Sequence, residues 1–145
     1  MRLHDDDINI LEYDFNLLRP VVGALARTLD ARLFDTDPSL RLLFDLPLSG
    51  SGRKLTAGMQ ALFNSFRRPQ ILGPMLSDFG ARCAMRGVRE RDYRALCAVI
   101  IASVSDVLEE DFDECSRMAW AELADQLTEQ MIQGARASFA ASVPM

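Results

Sequence analysis

The segment from Glu90 to Leu108 is the feature that most constrains the fold, because its apolar residues recur at helical spacing over about five turns. The residues on this stripe are Tyr93, Leu96, Cys97, Ile100, Val104, Val107 and Leu108. Shorter helical patterns fill most of the remaining chain, and no segment of useful length alternates apolar with polar residues as a strand does. We therefore expect an all-α protein in which this helix is deeply buried.

Start and stop signals divide the rest of the chain into helices. Asp7 is the expected N-cap of the first helix, Pro20 suits the first turn of the second, and Asp37 followed by Pro38 predicts a short third helix. Gly87 is expected to end the fifth helix. Together these signals predict about seven helices.

The composition bounds the class of protein. With 145 residues, 49% of them hydrophobic, we expect one domain over residues 1–145. The net charge of −5 argues against nucleic acid and anionic membranes as partners. No apolar run approaches the length of a membrane span and no secretory signal begins the chain, so we expect a cytoplasmic location.

Few histidine or cysteine side chains are present that could hold a metal. His4 is the only histidine, and the three cysteines, Cys83, Cys97 and Cys115, are too widely spaced for a zinc site and odd in number for a disulfide framework. Cys83 continues the helical stripe of Leu72, Met75, Leu76 and Phe79, so its sulfur is expected to face the interior.

Several segments, in this order and spacing, resemble the bacterial single-domain haemoglobins and the haem domain of flavohaemoglobins. They are INILEYDFNLLRPVVGALARTLDARLF from residue 8, DPSLRLLF ending in Phe44, RKLTAGM from residue 53, GARCAMRGV from residue 80 with Tyr93 soon after, and the pair Ala119 and Trp120. The resemblance implies a globin fold, a sandwich of helices that cross at steep angles. It also implies haem b as cofactor and a diatomic gas as ligand.

The resemblance implies a changed haem site. Cys83 stands where the family has the proximal histidine that binds iron, and Asp30 stands where it has a distal tyrosine. Ser51 falls near the distal glutamine, and Phe44 keeps the aromatic position that packs on haem. The tyrosine that orients the proximal histidine matches Ala124, so we expect a proximal side without its polar relay.

Four further residues are candidates for this site. Phe79 precedes Cys83 by one turn and is expected to line the pocket. Lys54, early in a helix, is either a partner for a haem propionate or part of a solvated face. Ser51 is either a ligand contact or a helix N-cap. Asp30 either faces inward with a polar partner or is solvated.

Two hypotheses for function remain open. In the first, Cys83 ligates haem iron as a thiolate, and the protein is a gas or redox sensor rather than an oxygen store. In the second, Cys83 is a buried apolar residue of a haem-free globin that serves as a sensory or protein-interaction module, with a repacked pocket or one that binds a small apolar ligand. Under both hypotheses we expect no enzymatic activity. Both are compatible with a homodimer or with another protein partner.

Overall fold

The computed structural model describes residues 3–40 and 53–142, apart from the side chains of residues 53–56, 59 and 139–142. Within these ranges the chain forms helices and contains no β-strand. The helices are α1 (Asp5–Leu18), α2 (Val22–Thr36), α3 (Arg53–Ser65), α4 (Pro69–Met85), α5 (Glu90–Leu108) and α6 (Glu114–Ser142), with 3-10 turns at Arg19–Val21 and Glu109–Asp111. The expectation of an all-α protein is confirmed.

Helix ends follow the sequence signals with some shifts. Helix α1 begins at Asp5, so the expected N-cap Asp7 was wrong; three aspartates instead occupy the first turn, where the helix dipole favours negative charge. Pro20 lies in a 3-10 turn ahead of α2. Gly87 has φ +89°, a backbone conformation that glycine adopts without strain, and it ends α4 as expected.

Within the described ranges, five helices pack extensively and one packs lightly. Helix α4 lies against α6 in the largest of the helix contacts, and α2 lies against α5. Helix α1 contacts both α5 and α6, whereas α3 makes only small contacts with α1, α2 and α4. Among the described residues, α4 therefore packs more closely on α6 than on α3.

An aromatic cluster joins α1, near the start of the chain, to α3 and α6. The ring of Phe15 on α1 lies 5.3 Å from that of Trp120 on α6 and 5.4 Å from that of Phe66, which follows α3. Phe63 on α3 completes the cluster at 6.3 Å from Phe15. Aromatic pairs at these centroid distances stabilise a core beyond the area they bury. The cluster therefore holds α1, α3 and α6 together.

The stripe on α5 is less uniformly buried than expected. Tyr93, Val104 and Leu108 are buried, but the other members of the stripe are half-buried, whereas Val99 and Ser103 are buried outside it. The reason is that α5 is contacted by α1, α2 and α6, so its buried surface is wider than one stripe. On α4, Met75 is 36% exposed, contrary to the inward position expected for it.

Candidate functional site

Cys83 lies on the inner face of α4, one turn before the helix ends. Its side chain is 1% exposed, so protein atoms enclose the sulfur as the sequence predicted. Burial raises the pKa of the Cys83 thiol, and Arg86, Tyr93 and Arg82 offset part of that effect. Because burial dominates, the thiol is protonated at neutral pH when no metal is bound.

The hydroxyl group of Tyr93 lies against this sulfur. Tyr93 is the fourth residue of α5 and is 1% exposed. Its hydroxyl donates a hydrogen bond to the carbonyl oxygen of Gly80 at 3.3 Å and is also within hydrogen-bonding reach of Cys83. Burial and the neighbouring Cys83 raise the pKa of Tyr93 strongly, so the phenol keeps its proton.

The Cys83 thiol, the Tyr93 hydroxyl and the Gly80 carbonyl oxygen form a series in which the thiol proton and the phenol proton can each have an acceptor. With Cys83 as a thiol, the S–H can donate to the Tyr93 oxygen while the phenol donates to Gly80. With Cys83 as a thiolate, the phenol proton can turn to the sulfur, where a charge-assisted hydrogen bond is stronger than a neutral one. The arrangement therefore accommodates either protonation state of the sulfur.

Tyr93 is the residue that the sequence analysis missed. The expected loss of the family's polar relay rested on the match to Ala124, which is half-buried on α6, and it stays a prediction; it overlooked Tyr93 as a polar group near Cys83. The available signal was a phenol within an apolar stripe, ten residues after Cys83. A buried tyrosine nearly always needs a partner for its hydroxyl group.

Two other predicted site residues lie among the described side chains. Phe79 is half-buried on α4, one turn before Cys83, and the guanidinium of Arg82 lies 5.9 Å from its ring centroid. Asp30 is half-buried on α2, beside the buried Leu29, and its Oδ1 atom is shielded from solvent. Asp30 lies on α2, which packs mainly on α5, whereas Cys83 lies on α4, which packs mainly on α6. A role for either Phe79 or Asp30 in a pocket stays a prediction.

The remaining predicted residues fall where the structure gives no side chain. Phe44 and Ser51 lie outside the described residues, so the aromatic wall and the distal contact predicted for them stay predictions. The backbone of Lys54 lies in the first turn of α3, but its side chain is also outside the described part. The best-described part of the candidate site is therefore its proximal side, around Cys83.

A separate surface groove of about 390 Å³ lies between α2, α5 and the start of α6. Arg32 and Asp106, which form an ion pair at 2.6 Å, and Arg117 line its polar part, and alanines form much of its floor. Of the predicted site residues whose side chains are described, none lines this groove. It is not part of the candidate site.

Cys83 suits haem as a ligand donor, although the sulfur is fully enclosed. Among the side chains that the structure describes, no three His, Cys, Asp or Glu residues are grouped so as to hold a metal ion. An iron held here would need to bring its other ligands with it, as a porphyrin does, and a thiolate is an established axial ligand. At 1% exposure protein atoms cover the sulfur, so binding of an iron there would require neighbouring side chains to move.

Comparison with known proteins identifies the fold. No family model matches the chain. A solved structure described as an engineered carbene transferase and putative nitric oxide dioxygenase from Rhodothermus marinus superposes with a TM-score of 0.77, covering 96% of this chain and 97% of that one at 23% sequence identity. This likeness and the all-α architecture show that the chain has a globin fold, as the sequence predicted.

Curated relatives support the same family. Flavohemoproteins from Bordetella parapertussis and Bordetella bronchiseptica are each 30% identical to this chain over 122 residues, which is 82% of its length. The chain spans only 30% of the length of these relatives. Together with the fold, these similarities support a place for the chain in the globin family.

These relatives contradict one expectation from the sequence. The chain was expected not to be an enzyme, yet the names carbene transferase and nitric oxide dioxygenase describe enzymes, and the flavohemoproteins point the same way. The expectation followed from the missing catalytic constellation of side chains. That was too narrow, because in haem enzymes the cofactor itself performs much of the chemistry.

No helix within the described ranges has both the length and the apolar composition that crossing a bilayer requires.

Proposed function

We propose that the chain is a haem-binding globin domain in which the sulfur of Cys83 is the axial ligand of the iron. The observation that supports this most directly is the enclosed sulfur on the inner face of α4 with the Tyr93 hydroxyl against it. The globin fold and the similarity to flavohemoproteins make haem the cofactor to test first.

Each residue at this site has a distinct part in the proposal. Cys83 loses its proton to become the ligand, which the positive charges of Arg86 and Arg82 favour. With haem bound, Tyr93 would donate a hydrogen bond to the sulfur and so reduce the electron density that the sulfur gives to the metal. Phe79 lines the proximal wall, while Asp30, Phe44, Ser51 and Lys54 are proposed for the remainder of the pocket.

Haem with a thiolate ligand supplies an iron that binds diatomic gases and changes redox state. An ionised carboxylate at Asp30 accepts hydrogen bonds but donates none, so it would not hold a bound gas as a distal tyrosine does. This favours a gas or redox sensor, or turnover of a reactive gas, over oxygen storage. A nitric oxide consumption assay on the haem-loaded chain, with added reductant, separates turnover from sensing.

The decisive experiment is reconstitution of the purified full chain with haem, followed by absorption spectra of the ferric and the ferrous carbon monoxide forms. We expect a Soret band with the red-shifted carbon monoxide signature of thiolate ligation. Cys83→His should change this to a histidine-type spectrum, and Cys83→Ala should abolish the thiolate signature. Cys115→Ala is the matched control, since Cys115 is exposed, and it should leave the spectrum unchanged. An unchanged spectrum in Cys83→Ala overturns the ligand assignment.

A second candidate function is favoured by the enclosure of Cys83. Its side chain is 1% exposed, and the neighbouring Tyr93 hydroxyl already has an acceptor in the Gly80 carbonyl oxygen without any cofactor. On this hypothesis the chain is a haem-free globin that acts as a sensory or interaction module, in which a small apolar ligand or a protein partner replaces haem. Absence of a Soret band after reconstitution supports it, and stoichiometric haem binding excludes it.

A further inference from the structure

Helices α4 and α6 cross in direct backbone contact at two glycines. A Cβ atom added at Gly80 would overlap the carbonyl oxygen of Met131, and one added at Gly134 would overlap that of Ser77. Both clashes are with backbone rather than with flexible side chains, so any side chain at either position requires the helices to move apart. The two glycines therefore set how closely α4 lies on α6.

Gly80 differs from Gly134 in a second contact. Its carbonyl oxygen accepts the hydrogen bond from Tyr93 at 3.3 Å, and Tyr93 in turn contacts the sulfur of Cys83, which follows Gly80 by less than one helical turn. Gly134 is on the opposite helix, and its contact, Ser77, precedes Cys83 by almost two turns. Only Gly80 joins the helix crossing to the candidate ligand.

We propose that Gly80 is a positioning residue for Cys83. Its missing side chain seats α4 against the backbone of α6, and its carbonyl oxygen fixes the Tyr93 hydroxyl against the sulfur. The consequence for an iron ligand rests on the proposed function. The placement of the sulfur itself does not, because it can be measured in the protein without haem.

The helix offers a matched control at Gly73. This glycine is also buried on α4 and also faces α6, but a Cβ added there would meet only side-chain atoms of Gln130, at 3.9 to 4.0 Å. That is ordinary van der Waals distance. Gly73→Ala thus makes the same chemical change on the same helix without disturbing the crossing, and it also gains the helix propensity of alanine.

The test is the rate at which iodoacetamide alkylates Cys83 in the haem-free full chain, followed by mass spectrometry of the peptide that contains it. We expect Gly80→Ala to raise this rate by at least about tenfold, the scale of a core substitution that forces backbone movement. Gly73→Ala should leave it at the wild-type value. An unchanged rate in Gly80→Ala, with the helical circular dichroism retained, overturns the proposal.

Loss of global stability must be separated from loss of positioning. Gly134→Ala disturbs the same crossing without touching the Tyr93 contact, so it is compared with Gly80→Ala after urea brings the two to equal free energies of unfolding. Faster alkylation of Cys83 in Gly80→Ala under these conditions supports positioning. Equal rates in the two variants overturn it and leave Gly80 with a packing role only.

Tyr93→Phe keeps the test valid if Gly80→Ala does not fold. It removes the hydroxyl and creates no clash, and we expect Cys83 to be alkylated about fivefold faster, the factor that corresponds to one ordinary hydrogen bond. An unchanged rate overturns the proposal.

In the haem-loaded chain, Gly80→Ala and Tyr93→Phe should also shift the Soret band while Gly73→Ala does not. If no variant binds haem, the proposed function fails, and the alkylation rates still decide the role of Gly80.

Discussion

Cys83 on α4 and Asp14 on α1 are equally buried, at 1% exposure, but they differ in their hydrogen-bonding partners and in the charges around them. The Cys83 sulfur lies near a phenol that can accept or donate a hydrogen bond, with two arginines nearby. The Asp14 carboxylate accepts a hydrogen bond from the indole N–H of Trp120 at 3.0 Å, with Asp113 and Asp111 nearby. The proposal makes Cys83 an iron ligand, whereas Asp14 is a buried acceptor for an indole donor.

The contrast extends to the pKa values. Burial raises the pKa of Asp14; hydrogen bonds from Trp120 and Ser116 partly offset this, and the charge of Asp113 adds to it. Burial raises the pKa of Cys83 as well, but the nearby charges are positive and oppose that shift. The two buried groups therefore differ in the sign of the charges around them: carboxylates lie near Asp14, and guanidinium groups lie near Cys83.

The largest expected effect comes from Trp120→Phe. Loss of the indole donor leaves a buried carboxylate short of a partner and trims the ring that packs on Phe15, so the free energy of unfolding should fall by about 3 kcal/mol. Urea denaturation followed by circular dichroism measures it. In an Asp14→Asn background the same substitution should cost clearly less. Additive effects of the two substitutions would show that Asp14 does not depend on Trp120.

Cys83→Ala should lower the free energy of unfolding by about 1.5 kcal/mol in the haem-free chain. The substitution leaves a small void and removes a partner of Tyr93. Cys115→Ala is the control, and it should change stability by less than about 0.5 kcal/mol because Cys115 is exposed. Equal effects of the two substitutions in urea denaturation would contradict the enclosure of Cys83.

Asp14→Asn should stabilise the protein at neutral pH by about 1 kcal/mol, since it removes a buried charge while keeping an acceptor for Trp120. The pKa of Asp14 is raised in the folded state, so its contribution to stability is fully present below the usual aspartate range and is lost as pH rises through the folded-state value. The gain from asparagine should therefore grow from below pH 4 toward neutral pH in urea denaturation. A gain that stays constant over this range contradicts a raised pKa.

The smallest expected effect is at an exposed ion pair. Arg32 and Asp106 are 2.6 Å apart, but their side chains are 41% and 47% exposed, and solvent screens such pairs. Arg32→Gln should lower the free energy of unfolding by less than about 0.5 kcal/mol, and 1 M salt should remove the difference. Arg136→Gln, at the similarly exposed pair with Glu90, should behave alike. A loss as large as that from Cys83→Ala would place Arg32 among the structural groups.

Helix positions were predictable because their causes are local. The start of α5 after Arg89 is fixed by the Asp92 carboxylate, which accepts the backbone N–H of Arg89 at 2.8 Å. The end of α4 follows from the positive φ of Gly87. The inward position of Cys83 followed from helical spacing alone. Met75 was placed wrongly because spacing identifies a stripe but not how much of that stripe the neighbouring helices cover.

The sequence by itself determined the helices, the all-α class and the burial of one sulfur, since each depends on residues within a few turns of each other. Only the tertiary structure decided what the buried polar groups contact. Asp14 falls on the buried spacing of Leu11 and Leu18, yet its partner Trp120 is 106 residues away. Tyr93 meets Cys83 only because α4 and α5 come together in the fold. Such partners are set by helix packing, and packing depends on the summed burial of the whole chain rather than on local spacing.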